Sequence, residues 1–160
     1  RDLAQVYPTR SAPPRAAPVL EVAHLSAPGT VEDVSLTVRE GEILGLFGLM
    51  GSGRSELARL LMGLDPASRG EVRLGGRPLL GGPRARVRQG LAFVTENRRE
   101  EGLMMDASIR DNLTLPALER FRRGLALDRE ALADTAQALR EAVRLKAQDL
   151  GRQPVRALSG

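Results

Sequence analysis

An apolar run leads directly into a glycine-rich loop in the N-terminal half of the chain. Residues 43–47 read Ile-Leu-Gly-Leu-Phe, and residues 48–55 read Gly-Leu-Met-Gly-Ser-Gly-Arg-Ser. Leucines at helical spacing follow, which predicts a helix from about Ser55 to Met62. A continuous apolar run is typical of a strand buried on both faces of a parallel sheet, and residues 91–95 form a second such run. The chain is therefore predicted to have an α/β fold in which these two runs are neighbouring strands.

The glycine-rich loop has the spacing of a phosphate-binding loop. Residues 48–55 fit G-x-x-x-x-G-K-[ST], except that Arg54 occupies the lysine position. Glycines let backbone N–H groups surround phosphate oxygens, the helix N-terminus adds partial positive charge, and the Ser55 hydroxyl can bind Mg²⁺. This predicts a site for a nucleotide di- or triphosphate. The alternative is a glycine turn that binds no ligand, since the planar guanidinium of Arg54 keeps the charge but not the compact shape of an ammonium group.

The segments around this unit have strand and turn patterns. Four prolines within residues 1–18 predict a linker. Alternating apolar residues on either side of residues 27–29, Ala-Pro-Gly, predict two strands joined by a turn. His24 is interpreted as an ordinary strand residue, because no acidic partner is evident near it in the sequence. The paired glycines at residues 75–76 predict a hairpin, since glycine tolerates the positive φ of a two-residue turn.

The C-terminal half has helix-start signals. The polar, glycine-containing stretch of residues 97–105 predicts a loop. Ser108 with Asp111 three residues later resembles a capping box that opens a short helix, which Pro116 interrupts. Asp128 can cap a longer helix with one apolar face.

Composition excludes several classes of chemistry. The 160 residues contain no Cys and a single His, so disulfide scaffolds, Cys-ligated metals, thiol nucleophiles and His-based triads are not expected. Neither a signal peptide nor a membrane-spanning run is expected. The net charge is +4, and nearly all of the basic residues are arginines, which leaves nucleic-acid binding as an alternative. The arginines are scattered among acidic residues and aromatics make up 2%, so a solvated, Arg-biased surface is favoured.

Motifs over nearly the whole chain resemble an ATP-binding-cassette (ABC) ATPase. They are residues 34–38 with 41–45, the loop 48–55, Glu96 at the place of the Q-loop glutamine, and Leu158, Ser159 and Gly160 at the opening of the LSGGQ signature. More narrowly, residues 48–57, 95–99 and 101–103 are similar to the second cassette of the double-cassette ATP-binding proteins of ribose, galactose and xylose importers. Arginine at position 54 favours this monosaccharide branch over the related nucleoside importers.

The resemblance implies a fold and a domain division. The chain would be a partial ABC nucleotide-binding domain, an α/β P-loop NTPase core with an antiparallel β subdomain and a helical subdomain. Residues 1–18 would be an inter-cassette linker, residues 19–160 the partial domain, and residues from about 97 to 160 the helical subdomain. The chain would be a fragment that stops within the signature, and the fragment alone is expected to be inactive as an ATPase.

The resemblance also implies site residues, with ATP and Mg²⁺ as cofactors. Glu96 would occupy the catalytic Q-loop position. There it would contact the metal and the attacking water, and it would communicate with the permease. Ser55 and Glu96 would bind Mg²⁺. The residues assigned to the nucleotide phosphates are Gly48, Gly51, Ser52, Gly53, Arg54 and Ser55. Because Arg54 and Glu96 replace the usual residues, the resemblance implies reduced or no hydrolytic power.

The leading functional prediction is an ATPase subunit that couples ATP binding and hydrolysis to monosaccharide import. Its partners would be integral-membrane permease subunits, the first cassette of the same parent chain and, indirectly, an external sugar-binding protein, with no nucleic acid. It would be peripheral, at the cytoplasmic face of the cell membrane. Residues 96–111 would face the permease, where Met104 and Met105 would supply contacts or else pack in the core. The alternatives are a non-hydrolytic regulatory cassette and a soluble cassette protein acting on nucleic acid or ribosomes.

Overall fold

A computed structural model describes residues 15–158, which form two compact units. The first unit covers residues 15–93 and the second covers residues 94–158. Most of the predicted linker, residues 1–14, lies outside the described residues, as do Ser159 and Gly160. The predicted domain assignment stays a prediction.

An antiparallel sheet is the centre of the first unit. Its strands are β1 (Pro18–Ala27), β2 (Val31–Arg39), β3 (Arg69–Leu74) and β4 (Arg77–Pro78), in the order β2-β1-β3-β4. The β1–β2 turn is closed by the N–H of Thr30, which donates to the carbonyl oxygen of Ala27 at 3.2 Å. The two hairpins that the turn residues predicted, β1–β2 and β3–β4, are both confirmed.

Helix α1 (Arg54–Met62) packs its apolar face against this sheet. It lies between Gly53 and Gly63, both in the left-handed conformation, close to the predicted bounds. Leu57 and Leu60 from the helix join Val22, Leu25 and Val72 from the sheet in one buried cluster. Burial of each such side chain stabilises the fold by about 1.5–3 kcal/mol. The cluster therefore fixes the start of α1 relative to the strands.

A second helix, α2 (Pro83–Arg88), is tied to the end of α1 by one arginine. The Arg86 guanidinium donates to the carbonyl oxygens of Leu60 at 2.8 Å and Leu61 at 2.7 Å. These oxygens belong to the last turn of α1, where carbonyl groups have no partner within the helix. Partial burial lowers the pKa of Arg86. Arg86 thus joins the short helix α2 to the C-terminal end of α1.

The two apolar runs are not strands, and that prediction was wrong. Residues 43–47 and 91–95 belong to neither sheet of the described chain. Ile43 is 94% exposed and Phe47 is 97% exposed, whereas Leu91 is partly buried against the first core. A buried parallel strand needs neighbouring strands for its backbone hydrogen bonds and helices on both faces for its side chains. Among residues 15–158 neither run has such neighbours, so its apolar character did not produce a strand.

The second unit consists of helices and one small hairpin. Its elements are a π-helical turn (Arg98–Gly102), α3 (Ile109–Thr114), a 3₁₀ helix (Leu115–Phe121), β5 (Arg122–Arg123) paired with β6 (Ala126–Leu127), α4 (Arg129–Ala142) and a second 3₁₀ helix (Val155–Ala157). Between residues 15 and 158, no helix is long and apolar enough to cross a lipid bilayer.

Both predicted helix caps are confirmed. The Ser108 hydroxyl accepts a hydrogen bond from the N–H of Asp111 at 3.0 Å, and the Asp128 carboxylate accepts one from the N–H of Ala131 at 3.1 Å. Pro116 lies in the first turn of the 3₁₀ helix that follows α3, where its missing N–H costs no helical hydrogen bond. The predicted loop at residues 97–105 contains the π-helical turn, which the sequence pattern did not indicate.

A small apolar cluster stabilises the second unit. Ile109, Ala147 and Val155 are buried together, and Met105 packs against them. Met104 is 43% exposed. Of the two roles considered for these methionines, packing therefore applies to Met105.

Candidate functional site

The phosphate-loop residues form a closed turn that ends at the start of α1. Gly51 and Gly53 both have a φ of 81°, in the region that glycine adopts without steric cost. The N–H of Ser52 donates to the carbonyl oxygen of Leu49 at 3.1 Å, which closes the turn. The loop that the sequence pattern identified is therefore a curled backbone segment joined directly to a helix.

The N-terminus of α1 opens into this loop. Gly53 is the N-cap residue, and no side chain caps the helix there. The first intrahelical hydrogen bond runs from the N–H of Leu57 to the carbonyl oxygen of Gly53 at 2.8 Å. The N–H groups of a first helical turn have no partner within the helix, and together with the helix dipole they attract anions. This end of α1 therefore has the backbone geometry of a phosphate site.

Two of the loop glycines are required by close contacts. Gly53 is buried, and a Cβ atom there would lie 2.5 Å from the carbonyl oxygen of Thr30. A Cβ atom on Gly48 would overlap the Ser52 hydroxyl. The loop therefore leaves no room for side chains at two positions where the sequence motif has glycine.

Arg54 and Ser55 are exposed at the beginning of α1. The Cδ atom of Arg54 lies 3.8 Å from the position that a Cβ on Gly48 would take, so the stem of the arginine lies beside the loop. Ser55 is one residue further along the first turn. The structure thus brings the predicted phosphate-binding residues, numbers 48 and 51–55, together within one turn of backbone.

A hollow of about 620 Å³ lies next to the loop, and no sequence motif indicated it. Its walls are residues 26–32 around the β1–β2 turn, with Ser68 and Arg69 from the other side. Thr30 lines the hollow, and its carbonyl oxygen is the atom that crowds Gly53. The hollow and the phosphate loop therefore share a wall. No sequence signal could have revealed it, because it depends on the pairing register of strands that are distant in sequence.

His24 lies within β1, as the sequence predicted, but it also has an acidic partner. The Nδ1 atom of His24 lies 2.8 Å from Oδ1 of Asp33, and an Arg69 nitrogen lies 3.2 Å from the same oxygen. His24 and Asp33 both have positive φ, of 52° and 49°, in an irregular part of the β1–β2 pairing. The acidic partner was not evident from the sequence because it lies on the opposite strand.

Glu96 lies in the second unit and is exposed. It follows residues 91–95 and precedes the π-helical turn, and its carbonyl oxygen accepts a hydrogen bond from the N–H of Arg98 at 3.2 Å. Just before it, the Thr95 hydroxyl is buried without a hydrogen-bond partner among the described residues. The predicted catalytic role of Glu96 stays a prediction.

Leu158 ends the described chain and is held by backbone contacts within the second unit. Its N–H donates to the carbonyl oxygen of Val155 at 3.0 Å. The preceding residues pair with the segment before α3: Arg156 binds the Asp106 carboxylate at 2.7 Å, and its N–H donates to the carbonyl oxygen of Met105 at 3.0 Å. The other two residues predicted to open the signature, Ser159 and Gly160, lie outside the described residues.

The fold matches solved structures of one class of protein, the ATP-binding cassettes. A nucleotide-free cassette from an ABC transporter superimposes with a TM-score of 0.67 at 19% identity, covering 89% of this chain and 59% of that one. A dimeric cassette in a post-hydrolysis state, bound to ADP and phosphate, gives a TM-score of 0.67 at 22% identity, covering 88% of this chain and 63% of that one. The predicted fold class, a partial ABC nucleotide-binding domain, is therefore confirmed.

The family model "ABC transporter" matches residues 31–160, and the chain belongs to this family. Among curated relatives, a ribose import ATP-binding protein of Rubrobacter xylanophilus is 44% identical over 162 residues, covering 100% of this chain and 32% of the relative. Another from Pseudomonas putida is 44% identical, covering 100% of this chain and 31% of the relative. A third, from Bacillus subtilis, is 41% identical, covering 91% of this chain and 30% of the relative. The chain thus spans about a third of the length of the curated relatives it matches.

Proposed function

We propose that this chain is the nucleotide-binding part of an ATPase that drives monosaccharide import through a membrane permease. The observation that carries the proposal is the loop of residues 48–55, curled at the uncapped N-terminus of α1, within a chain of the ABC transporter family. The names of the relatives, ribose import ATP-binding proteins, support a sugar as the transported substrate. They support neither of the alternatives, a regulatory cassette or a protein that acts on nucleic acid.

In this proposal ATP binds with its phosphates at the loop. The backbone at Gly48, Gly51, Ser52 and Gly53 would surround the phosphate oxygens, because glycine at 48 and 53 keeps side chains out of the turn. The Arg54 guanidinium, on the first residue of α1, would donate charge-assisted hydrogen bonds to the same oxygens. The first-turn N–H groups would add the partial positive charge of the helix dipole.

In the same proposal, Ser55 and Glu96 would bind Mg²⁺ beside the phosphates. The Ser55 hydroxyl, on the first turn of α1, is an oxygen ligand of the kind that Mg²⁺ binds together with substrate phosphates. Glu96 would be a further ligand and would hold the attacking water. When bound, Mg²⁺ would neutralise charge that develops on the phosphate oxygens.

The proposal extends to the parent protein and its partners. This chain would be the second cassette of a double-cassette ATPase, continuing beyond Gly160, and the first cassette would lie before it. The ATPase would bind permease subunits at the cytoplasmic face of the membrane, and residues 96–111 would face the permease. A sugar-binding protein would deliver the sugar on the external side of the membrane. The partly exposed Met104 in this segment supports an adaptable apolar contact there.

Sugar uptake tests the proposal. Cells that carry the longer ATPase and its permease would be given radiolabelled ribose, galactose or xylose. Ser55→Ala is expected to reduce uptake of the transported sugar at unchanged protein level, because it removes the proposed Mg²⁺ ligand. Arg77→Ala, which replaces an exposed side chain on β4, is the matched control and is expected to leave uptake unchanged. Equal uptake of all three sugars with and without the ATPase would contradict the proposal.

A further inference from the structure

The backbone of Met104 is fixed by the side chain of Asn112, on α3. The N–H of Met104 donates to Oδ1 of Asn112 at 2.9 Å, and Nδ2 of Asn112 donates to the carbonyl oxygen of Met104 at 3.0 Å. The same nitrogen donates to the carbonyl oxygen of Ser108 at 3.0 Å. Because a backbone N–H only donates and a carbonyl oxygen only accepts, these bonds allow one orientation of the amide. Asn112 therefore holds both backbone polar groups of Met104.

The position of Asn112 is itself set by the start of α3. Its N–H donates to the carbonyl oxygen of Ser108 at 3.1 Å, and Ser108 is the N-cap residue of that helix. Ile109, the first residue of α3, is buried in the apolar cluster of the second unit. The half-buried side chain of Asn112 thus begins from a fixed backbone. Met104 is tied to the core of the second unit through this one amide group.

Met105, the next residue, is held by different partners. Its side chain packs against the apolar cluster, and its carbonyl oxygen accepts a hydrogen bond from the N–H of Arg156 at 3.0 Å. Met104 is exposed instead, and so is Leu103 before it. Because the backbone is fixed at both methionines, Met105 stays in the core and Met104 stays at the surface.

The acidic group nearest in sequence to Met104 is already paired. The Asp106 carboxylate lies 2.7 Å from a guanidinium nitrogen of Arg156. An apolar partner that covers Met104 therefore does not leave this carboxylate without a compensating charge, which would be costly. Methionine is unbranched and polarizable, so its side chain adapts to the shape of an apolar neighbour. These properties fit an apolar side chain as the group that Met104 contacts.

We propose that Asn112 is a positioning residue for the permease interface, holding the backbone of Met104 so that this methionine meets an apolar side chain of a permease subunit. The inference rests on the proposed function, in which residues 96–111 face the permease. Asn112 lies outside that segment and acts through Met104. A backbone that is ordered before binding loses less conformational entropy when the partner docks. Loss of the amide therefore weakens permease binding and leaves the nucleotide site intact.

The test measures binding of the longer ATPase to its immobilised, detergent-solubilised permease, with ATP–Mg²⁺ affinity measured in parallel. Asn112→Ala is expected to weaken permease binding about five- to thirtyfold, the cost of ordering the backbone of one residue. Asn112→Asp keeps the acceptor for the N–H of Met104 but places a second oxygen against two carbonyl oxygens, so it is expected to lose as much. ATP–Mg²⁺ affinity is expected to be unchanged, because the phosphate loop belongs to the other unit.

A double variant separates positioning from general stabilisation. Met104→Ala removes the presented side chain and is expected to weaken permease binding on its own. Adding Asn112→Ala to Met104→Ala is expected to cause little further loss, because the two residues act through one contact. Gln137→Ala is the matched control. Gln137 is an exposed amide on α4 that donates to Glu141 of the same helix, so permease binding is expected to be unchanged.

Equal permease binding by the parent ATPase and either Asn112→Ala or Met104→Ala would overturn the inference. Additive losses in the double variant, or a matching loss of ATP–Mg²⁺ affinity, would also overturn it, because Asn112 would then act as a general structural residue. A parent ATPase that does not bind the permease would overturn the proposed function itself. Thermal unfolding checks that each variant keeps its fold, and Met104→Ala still tests the inference if the Asn112 variants do not fold.

Discussion

The carbonyl oxygen of Thr30 lies 2.5 Å from the position that a Cβ on Gly53 would occupy. This contact joins the β1–β2 turn to the residue that begins α1. Gly53 also has a φ of 81°, which is unfavourable for residues with side chains. The antiparallel sheet and the phosphate loop therefore meet at one residue, and the loop depends on the absence of a side chain there.

Gly53→Ala tests this contact directly. The substitution is expected to lower the free energy of unfolding by about 2–4 kcal/mol, because backbone strain adds to a clash that Thr30 cannot relieve cheaply. Gly51→Ala is the matched control, since Gly51 has the same φ of 81° but a methyl group added there would meet no atom within 4 Å beyond its chain neighbours. Gly51→Ala is expected to lower the free energy of unfolding by about 1–2 kcal/mol, from backbone strain alone. Urea denaturation measures both, and equal costs would contradict the contact.

Arg54→Ala is expected to weaken ATP–Mg²⁺ binding about tenfold or more. Hydrogen bonds to charged groups contribute about 1.5–3 kcal/mol, and 1.4 kcal/mol corresponds to a factor of ten. Arg54→Lys is expected to retain most of the affinity, because the backbone turn and the positive charge persist. Calorimetric titration measures both, with Arg77→Ala as the control for loss of an exposed arginine. If Arg54→Ala and the parent chain bind equally, the arginine does not contact phosphate.

Asp65 makes the first unit sensitive to acid. The Arg59 guanidinium donates to its carboxylate at 2.7 Å and 3.2 Å, and this hydrogen bond is the main reason that the pKa of Asp65 is lower than its ordinary 3.8. The lowered pKa means that the stabilisation is fully present above about pH 4 and is lost as the pH falls through the folded-state pKa. Asp65→Asn is expected to flatten the acid side of a pH–stability curve. The exposed Asp134→Asn on α4 serves as the control, and an unchanged curve for Asp65→Asn would contradict the pairing.

The 160-residue chain alone is expected not to hydrolyse ATP. Phosphoryl transfer depends on a carboxylate-held Mg²⁺ and a positioned water, and the proposed ATPase would supply part of that arrangement from residues beyond Gly160. The measurement is phosphate release by rigorously purified chain, with Ser55→Ala as the control for contaminating activity. Sustained release that Ser55→Ala abolishes would contradict this expectation.

Local signals in the sequence predicted most of the described elements. The extent of α1 followed from the helical spacing of its leucines, and the caps of α3 and α4 followed from Ser108 and Asp128, because each signal acts within a few residues. The loop at residues 48–55 was found for the same reason, since the residues that form it are consecutive in the chain.

Features that depend on distant partners were not predictable. Residues 43–47 have the composition of a buried strand, but a strand forms only where neighbours pair with it. The approach of Arg69 to Asp33, and the hollow beside them, depends on the register of β1, β2 and β3. A shift of one residue in that register would turn these side chains to the other face of the sheet.

Backbone amide NMR of the isotope-labelled chain, titrated with ATP–Mg²⁺, tests the central claim most directly. If the loop at the start of α1 binds the phosphates, the largest saturable shifts will occur at the amides of Gly51, Gly53, Arg54 and Ser55. Adenosine, which has no phosphates, should leave these amides unshifted at the same concentrations. Shifts confined to other parts of the chain, or none at saturating ATP, would contradict the assignment of a nucleotide site to this loop.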